Sequence, residues 1–307
     1  MKKDFLSIDD ITRNEINEVM DSTEKLKKNP VQNLLNGKIF CLLFEKPSTR
    51  TRVSFESGIQ QLGGGTLYLD ATTSQISRGE TVEDTARVLD RYVNVIIARV
   101  FSHKTLEIMS KCADANVINA LSDLEHPCQI LADLFTIREK FGHFDGVKLA
   151  YVGDGNNVCN SLLLGCAKVG MDISVATPKG YEPDKKIVNM AINYSKVTNS
   201  KIVVTKEPKE AVKGANVVYN DTFISMGNEK EKKKRLKAFL PKYQVNKKLL
   251  EHAKSDVLYM HCLPAHRGEE VTPDVIDGNR SIIFDQAENR MHVQKALILR
   301  MIGKTRI

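Results

Sequence analysis

The chain has 307 residues, which at roughly 100–200 residues per domain suggests two domains. Its composition, 42% hydrophobic and 27% charged, is that of an ordinary globular protein and excludes a long disordered tail. The formal net charge of +7 is compatible with small anionic substrates, nucleic acid or a membrane surface.

The first residues, MKKDFLSIDD, lack the apolar core of a signal peptide. "GKIFCLLF" (37–44) reads as a buried strand, and a helical pattern follows from Ser48 to Gln61. "TLYLD" (66–70) is a second strand. "TVEDTARVLDRY" (81–92) opens with Thr81 and Asp84, a variant of the capping box, and sets Val82, Ala86 and Leu89 on one face. "VNVIIARV" (93–100) and "NVINA" (116–120) are strands, with a helix near Lys104–Ala113 between them. The pattern restarts after "KFGHFDG". Strands are expected at "VKLAYVGD" (147–154), "DISVATP" (172–178), "KIVVTKE" (201–207), "ANVVYND" (215–221) and "VLYMHC" (257–262), with helices between most of them. The last helical segment spans Ala287–Ile302.

This alternation predicts an α/β chain of two doubly wound domains, each a central parallel β-sheet flanked by helices. The expected domains are 1–138 and 148–286, with 287–307 free to stay on the second or pack back on the first. No apolar run approaches the roughly 18 residues of a membrane span. The six cysteines include no C-x-x-C pair and read as reduced thiols of a cytoplasmic protein. The basic run "KEKKKRLK" (230–237) reads as a solvated helix face, without the interleaved aromatics that stack single-stranded nucleic acid.

Polar clusters fall at the carboxyl ends of the predicted strands, where parallel sheets bind ligands. In "FEKPSTRTRVSFE" (44–56), Ser48, Thr49, Arg50 and Thr51 stand where a strand becomes a helix. Free backbone N–H groups, the helix dipole, hydroxyls and a guanidinium all favour an oxyanion there, against the simpler reading of an N-cap with surface arginines. No G-x-x-x-x-G-K-S/T loop exists, which counts against an NTPase. "GDGNN" (153–157) offers Gly-x-Gly after a strand. However, Val158 replaces the third glycine, and the next strand ends in Ala176–Thr177 without a ribose-binding acid, so a dinucleotide site is not expected.

In "HPCQ", His126 and Gln129 are hydrogen-bonding groups suited to a carbonyl or amide, or else His126 merely caps a helix with Pro127 at N1. Asp221 in "DTFISMG" is a partner for a substrate ammonium or a second helix cap. His261, Cys262 and His266 match no common zinc spacing, and a thiol beside a substrate amine is the better reading; a buried structural cysteine is the alternative.

Together these motifs resemble the aspartate/ornithine carbamoyltransferase family, in order from Ser7 to about Gly303. "FEKPSTRTRVSFE" is similar to its carbamoyl-phosphate signature, "HPCQ" to H-P-x-Q, "DTFISMG" to D-x-W-x-S-M-G and "HCLPAHRGEEV" to H-C-L-P. Phe223 stands where the family usually has tryptophan, and Cys128 where it often has threonine.

The resemblance implies that Ser48, Thr49, Arg50 and Thr51 hold the phosphate of carbamoyl phosphate. It implies that Arg99, His126 and Gln129 bind the carbamoyl end, and that Gln75 enters from a neighbouring subunit of a homotrimer. Asn157, Asp221, Ser225 and Met226 would bind ornithine, and Cys262, Leu263 and Arg290 would complete the site. The catalytic set would be Arg50, Arg99, His126 and Cys262. Arg52 would face another side of its helix and serve structure or a subunit contact.

The implied reaction transfers the carbamoyl group to the δ-amine of ornithine, giving citrulline and phosphate in arginine synthesis or breakdown. No cofactor, metal, nucleic acid or membrane is expected to take part. The rivals are a sister enzyme using putrescine or an acylated ornithine, a non-catalytic anion or nucleic-acid binder, and an NAD-linked enzyme.

Overall fold

A computed structural model describes residues 3–225, 227 and 229–304. Two compact units emerge, one of Met1–Phe135 with Glu288–Ile307 and one of Thr136–Ala287.

The first unit carries strands β1 (Ile39–Phe44), β2 (Gly65–Asp70), β3 (Val95–Arg99) and β4 (Asn116–Leu121). They form one all-parallel sheet in the order β2-β1-β3-β4. Its helices are α1 (Arg13–Lys28), α2 (Thr49–Gln61), α3 (Val82–Asp90) and α4 (His103–Cys112), with the start of α5 (Pro127–Phe141). β1 and β3 are almost wholly buried, as apolar runs covered on both faces must be. The α3 start follows its sequence signal, since the Thr81 hydroxyl accepts from the Asp84 N–H at 3.1 Å.

The second unit carries β5 (Lys148–Val152), β6 (Asp172–Ala176), β7 (Ile202–Thr205), β8 (Val217–Asn220) and β9 (Leu258–His261). These are parallel in the order β7-β6-β5-β8-β9. Between them run α6 (Asn157–Val169), α7 (Lys185–Thr198), α8 (Pro208–Val212), α9 (Lys232–Phe239) and α10 (Lys247–Leu250). After β9 come α11 (Pro273–Ile276) and α12 (Ile283–Met301). The chain leaves the first unit within α5 and returns to it within α12. Both sheets with their flanking helices have the doubly wound architecture expected from the alternation. Among the described residues no helix is long and apolar enough to cross a membrane.

Each sheet order places a switch point where neighbouring strands send their connections in opposite directions. In the first unit it lies between β1 and β3, and in the second between β5 and β8. Such points open a crevice at the strand ends.

Gly155, in the loop after β5, gives the Gly-x-Gly stretch a structural use. Its N–H donates to the Tyr181 carbonyl at 2.8 Å, and a Cβ here would stand 2.2 Å from the Pro183 nitrogen. The missing side chain makes room for the protein's own backbone. Gly155→Ala is therefore expected to destabilise the fold by about 1–3 kcal/mol, read from the denaturant midpoint, since backbone must move to admit a methyl group. An unchanged midpoint would show that the 181–183 segment yields freely.

The basic run departs from its expected solvated face at one position. Lys232, Lys233, Lys234 and Lys237 are exposed on α9, but Arg235 is only 6% exposed. It faces inward because a buried carboxylate, Asp154, supplies its counter-charge.

Candidate functional site

The first cluster grows from the β1/β3 switch point. Ser48 caps α2, its hydroxyl accepting from the Thr51 N–H at 3.2 Å and donating to Thr51 Oγ1 at 3.1 Å. No acidic residue occupies the first turn of α2, so its N-terminal partial charge stays uncompensated by a side chain of that turn. Thr49 is exposed and Arg50 half-buried there. Arg50 Nε is buried and accepted by no group among the described residues. Arg290 of α12 donates from Nη2 to Thr51 Oγ1 at 2.9 Å, which ties the distant end of the chain to the same turn.

Arg99 ends β3 at a register shift, where Ala98 pairs with Asn119 but Arg99 pairs with Leu121. Such irregularities re-aim side chains near binding sites. The Arg99 carbonyl accepts from the Glu45 N–H at 2.8 Å, and Glu45 Oε2 accepts from the Phe101 N–H at 2.6 Å. The two strand ends at the switch point are thereby laced together.

His126 precedes Pro127, the first residue of α5, and its carbonyl accepts from the Gln129 N–H at 3.1 Å. Its imidazole is held well below its ordinary pKa by burial, then by the charges of Arg290, Arg99 and Arg50. These same four side chains therefore share one electrostatic neighbourhood, and the imidazole is neutral at pH 7. Gln129 Nε2 donates to Asp133 Oδ1 at 2.8 Å, which leaves Oε1 buried and accepting from nothing among the described residues. The cluster can hold an oxyanion, polarise a carbonyl and accept from an N–H. Cys128 is apart from this chemistry. Its thiol donates to the Asn119 carbonyl at 3.4 Å and is pushed up to about 12 by burial.

Two expected residues lie outside the cluster. Gln75 is exposed in a 3-10 turn, Gln75–Arg78, beyond the edge strand β2. Arg52 bonds to Glu56 Oε1 at 3.1 Å and stacks its guanidinium 3.7 Å from the centre of the Tyr68 ring, a structural use.

The second cluster grows from the β5/β8 switch point and the end of β9. Asp221 is buried just beyond β8. Its Oδ1 accepts from the Thr222 N–H at 2.8 Å and from the Cys262 thiol at 3.1 Å. Its Oδ2 accepts from Asn156 Nδ2 at 2.7 Å. Asn156 also caps α6, its Oδ1 accepting from the N–H groups of Val158 and Cys159. The residue that grips Asp221 is Asn156; Asn157, expected to bind ornithine, begins α6 and is half-buried. Ser225 is half-buried in the loop after β8. Met226 lies outside the described residues. Phe223 is fully buried and stacks on Phe239, ring centres 4.5 Å apart, so the ring anchors this loop in the core.

Cys262 and Leu263 follow β9. Leu263 adopts φ 58°, a left-handed conformation that non-glycine residues rarely take. His261 Nδ1 accepts the Leu263 N–H at 2.8 Å and so holds it. The proton of His261 is thereby placed on Nε2, which faces Glu270 Oε1 at 3.4 Å. His261 and Glu270 are both buried, and Glu270 carried no signal in the sequence. The donor atoms of Asp221, His261 and Cys262 lie within 4.8 Å of one another, held by these hydrogen bonds. This cluster offers a cation or amine a buried carboxylate, an amide and a thiol.

Comparison with known proteins matches a family domain to each half of the chain. The carbamoyl-P binding domain of aspartate/ornithine carbamoyltransferases matches residues 3–139, and the Asp/Orn binding domain matches 145–301. The ornithine carbamoyltransferase of Carboxydothermus hydrogenoformans is 53% identical over 305 residues, covering 98% of each chain. That of Bacillus subtilis is 52% identical, covering 98% of this chain and 94% of its own. The solved ornithine carbamoyltransferase of Pyrococcus furiosus superposes with a TM-score of 0.94 at 50% identity, covering 98% of this chain and 97% of its own. With both domain types matched in order, and near-complete relatives at half identity, this chain belongs to the aspartate/ornithine carbamoyltransferase family.

Proposed function

We propose that the protein is an ornithine carbamoyltransferase, moving the carbamoyl group of carbamoyl phosphate to the δ-amine of L-ornithine with release of L-citrulline and phosphate. The observation that carries this reading is the buried His126 in the electrostatic reach of Arg50, Arg99 and Arg290, in a chain that also carries the Asp221–Cys262 cluster. One set matches an acyl phosphate, the other a cationic amino acid. Its relatives of about half identity bear that activity in their names.

In this reading Ser48, Thr49, Thr51 and the first turn of α2 receive the phosphate, with Arg50 spanning phosphate and carbonyl. Gln129 Oε1 accepts from the carbamoyl NH2. The neutral δ-amine attacks the carbamoyl carbon. Negative charge grows on the carbonyl oxygen and is met by Arg50, Arg99 and His126, preorganised donors that need no rearrangement. The C–O bond to phosphate then breaks, and the leaving phosphate takes the amine proton. Asp221, Asn157, Ser225 and Met226 orient ornithine, with Cys262 and Leu263 beside the reacting amine and Arg290 fixing Thr51. Cys262→Ser is expected to weaken ornithine use while leaving carbamoyl-phosphate binding largely intact. Equal weakening of both, by initial-rate kinetics, would contradict that placement.

Assembly is part of the proposal. Gln75, exposed beyond an edge strand, suits donation to a neighbouring subunit, and we assign a homotrimer. The free thiols of Cys41, Cys112, Cys128, Cys159, Cys166 and Cys262 support a cytoplasmic setting. A panel of acceptors tests substrate choice. Ornithine should react far faster than putrescine, acylated ornithines or aspartate; Asp221 suits the free α-ammonium that an acylated ornithine lacks and opposes the extra carboxylate of aspartate. Faster turnover of any of the others would move the protein to a sister activity.

A further inference from the structure

The lysine-rich helix α9 has one residue with no business on a solvated face. Arg235 is buried, and its charged fork is divided between two loops. Nε donates to the Phe223 carbonyl at 2.6 Å, inside the loop that runs from Asp221 to Ser225. Nη2 forms an ion pair with Asp154, inside the loop that runs from β5 to Asn156 and Asn157. The guanidinium carbon lies 4.9 Å from the centre of the Tyr181 ring and 5.7 Å from that of Phe239, the ring on which Phe223 stacks.

We propose that Arg235 is a positioning residue for the amine-binding half of the reaction, clamping the two switch-point loops so that Asn156 and Asp221 stay in hydrogen-bond register. The inference rests on the reading of Asp221 as the ornithine partner. The two loops meet at the 2.7 Å bond from Asn156 Nδ2 to Asp221 Oδ2, and Arg235 joins them a second time, two residues away on each side. A single bond between two loops is a hinge; two bonds fix their relative angle. Arginine suits the place because one planar fork serves a carbonyl and a carboxylate in different directions, which a lysine ammonium does not reproduce. Nη1 also lies 3.8 Å from Glu231 Oε2, an exposed partner one turn earlier, so the charge remains neutralised at the helix surface.

The clamp touches neither substrate, so its loss should change how well ornithine is held rather than carbamoyl-phosphate binding. Arg235→Gln, Arg235→Lys and Asp154→Asn are expected to raise KM for ornithine about 10-fold, with KM for carbamoyl phosphate within about twofold of the parent, because a broken buried pair relaxes locally. The Arg235→Gln, Asp154→Asn double variant should be no worse than the more impaired single one, since both remove the same clamp. Initial-rate kinetics in both substrates, on variants shown folded by circular dichroism, read the outcome. If Arg235→Gln does not fold, Arg235→Lys and Asp154→Asn carry the test. Unchanged ornithine KM in the folded variants, or equal rises in both KM values, would overturn the proposal. A parent protein that carbamoylates no ornithine would instead overturn the functional reading on which the proposal stands.

Discussion

Arg50→Ala is expected to cut kcat for citrulline formation by about 100-fold or more, the order seen when one preorganised oxyanion donor is lost. Three features converge on this residue. It sits in the first turn of α2, where the helix dipole already favours an anion. Its Nε is buried and engaged by no acceptor among the described residues, so a donor stands ready at a site built for oxyanions. Its charge reaches His126, the group proposed to polarise the carbonyl. Arg50→Lys should recover only part of the rate, because a lysine ammonium keeps the charge but not the fork that spans phosphate and carbonyl. Near-normal kcat and KM in Arg50→Ala would remove the residue from the mechanism.

Asp221→Asn should lower kcat/KM for ornithine by about 100-fold, the scale on which removing one member of a buried charged pair is felt. The variant is nearly isosteric, so the effect isolates charge and hydrogen-bond polarity. Asp221 accepts from Asn156, from the Thr222 N–H and from Cys262. An asparagine would turn one acceptor into a donor and oppose it to a neighbouring donor. Carbamoyl-phosphate affinity, proposed to depend on side chains of the other unit, should hold. Comparable loss of both affinities would point to a structural role for the aspartate.

The sequence was most legible where local pattern and local chemistry coincide. β1 shrinks from the expected 37–44 to Ile39–Phe44 because Gly37, at φ 72°, and Lys38 belong to the turn before it. The α2 cap at Ser48 and Pro127 as the first residue of α5 were readable because capping is a matter of neighbours a few residues apart. Sheet order was not readable, since alternation of strands and helices permits many orders.

Other features turn on details that local pattern does not fix. Asn156 and Asn157 are identical side chains side by side, and only the rotation of the α6 start decides which one reaches Asp221. Arg235 looked like one more charge in a solvated run, because its partner Asp154 lies far earlier in the chain. Glu270 is buried against His261, a pairing that no local pattern marks. Phe223 in place of tryptophan proved a packing matter, its ring lying flat against Phe239 in the core.

This protein is expected to transfer a carbamoyl group to ornithine with protein side chains and no metal ion. Purified protein should be mixed with L-ornithine and carbamoyl phosphate in excess chelator, and citrulline and phosphate followed together. Equimolar citrulline and phosphate are expected, at an enzymatic rate that chelation leaves unchanged. Phosphate released without citrulline, or no turnover of either substrate, would contradict it.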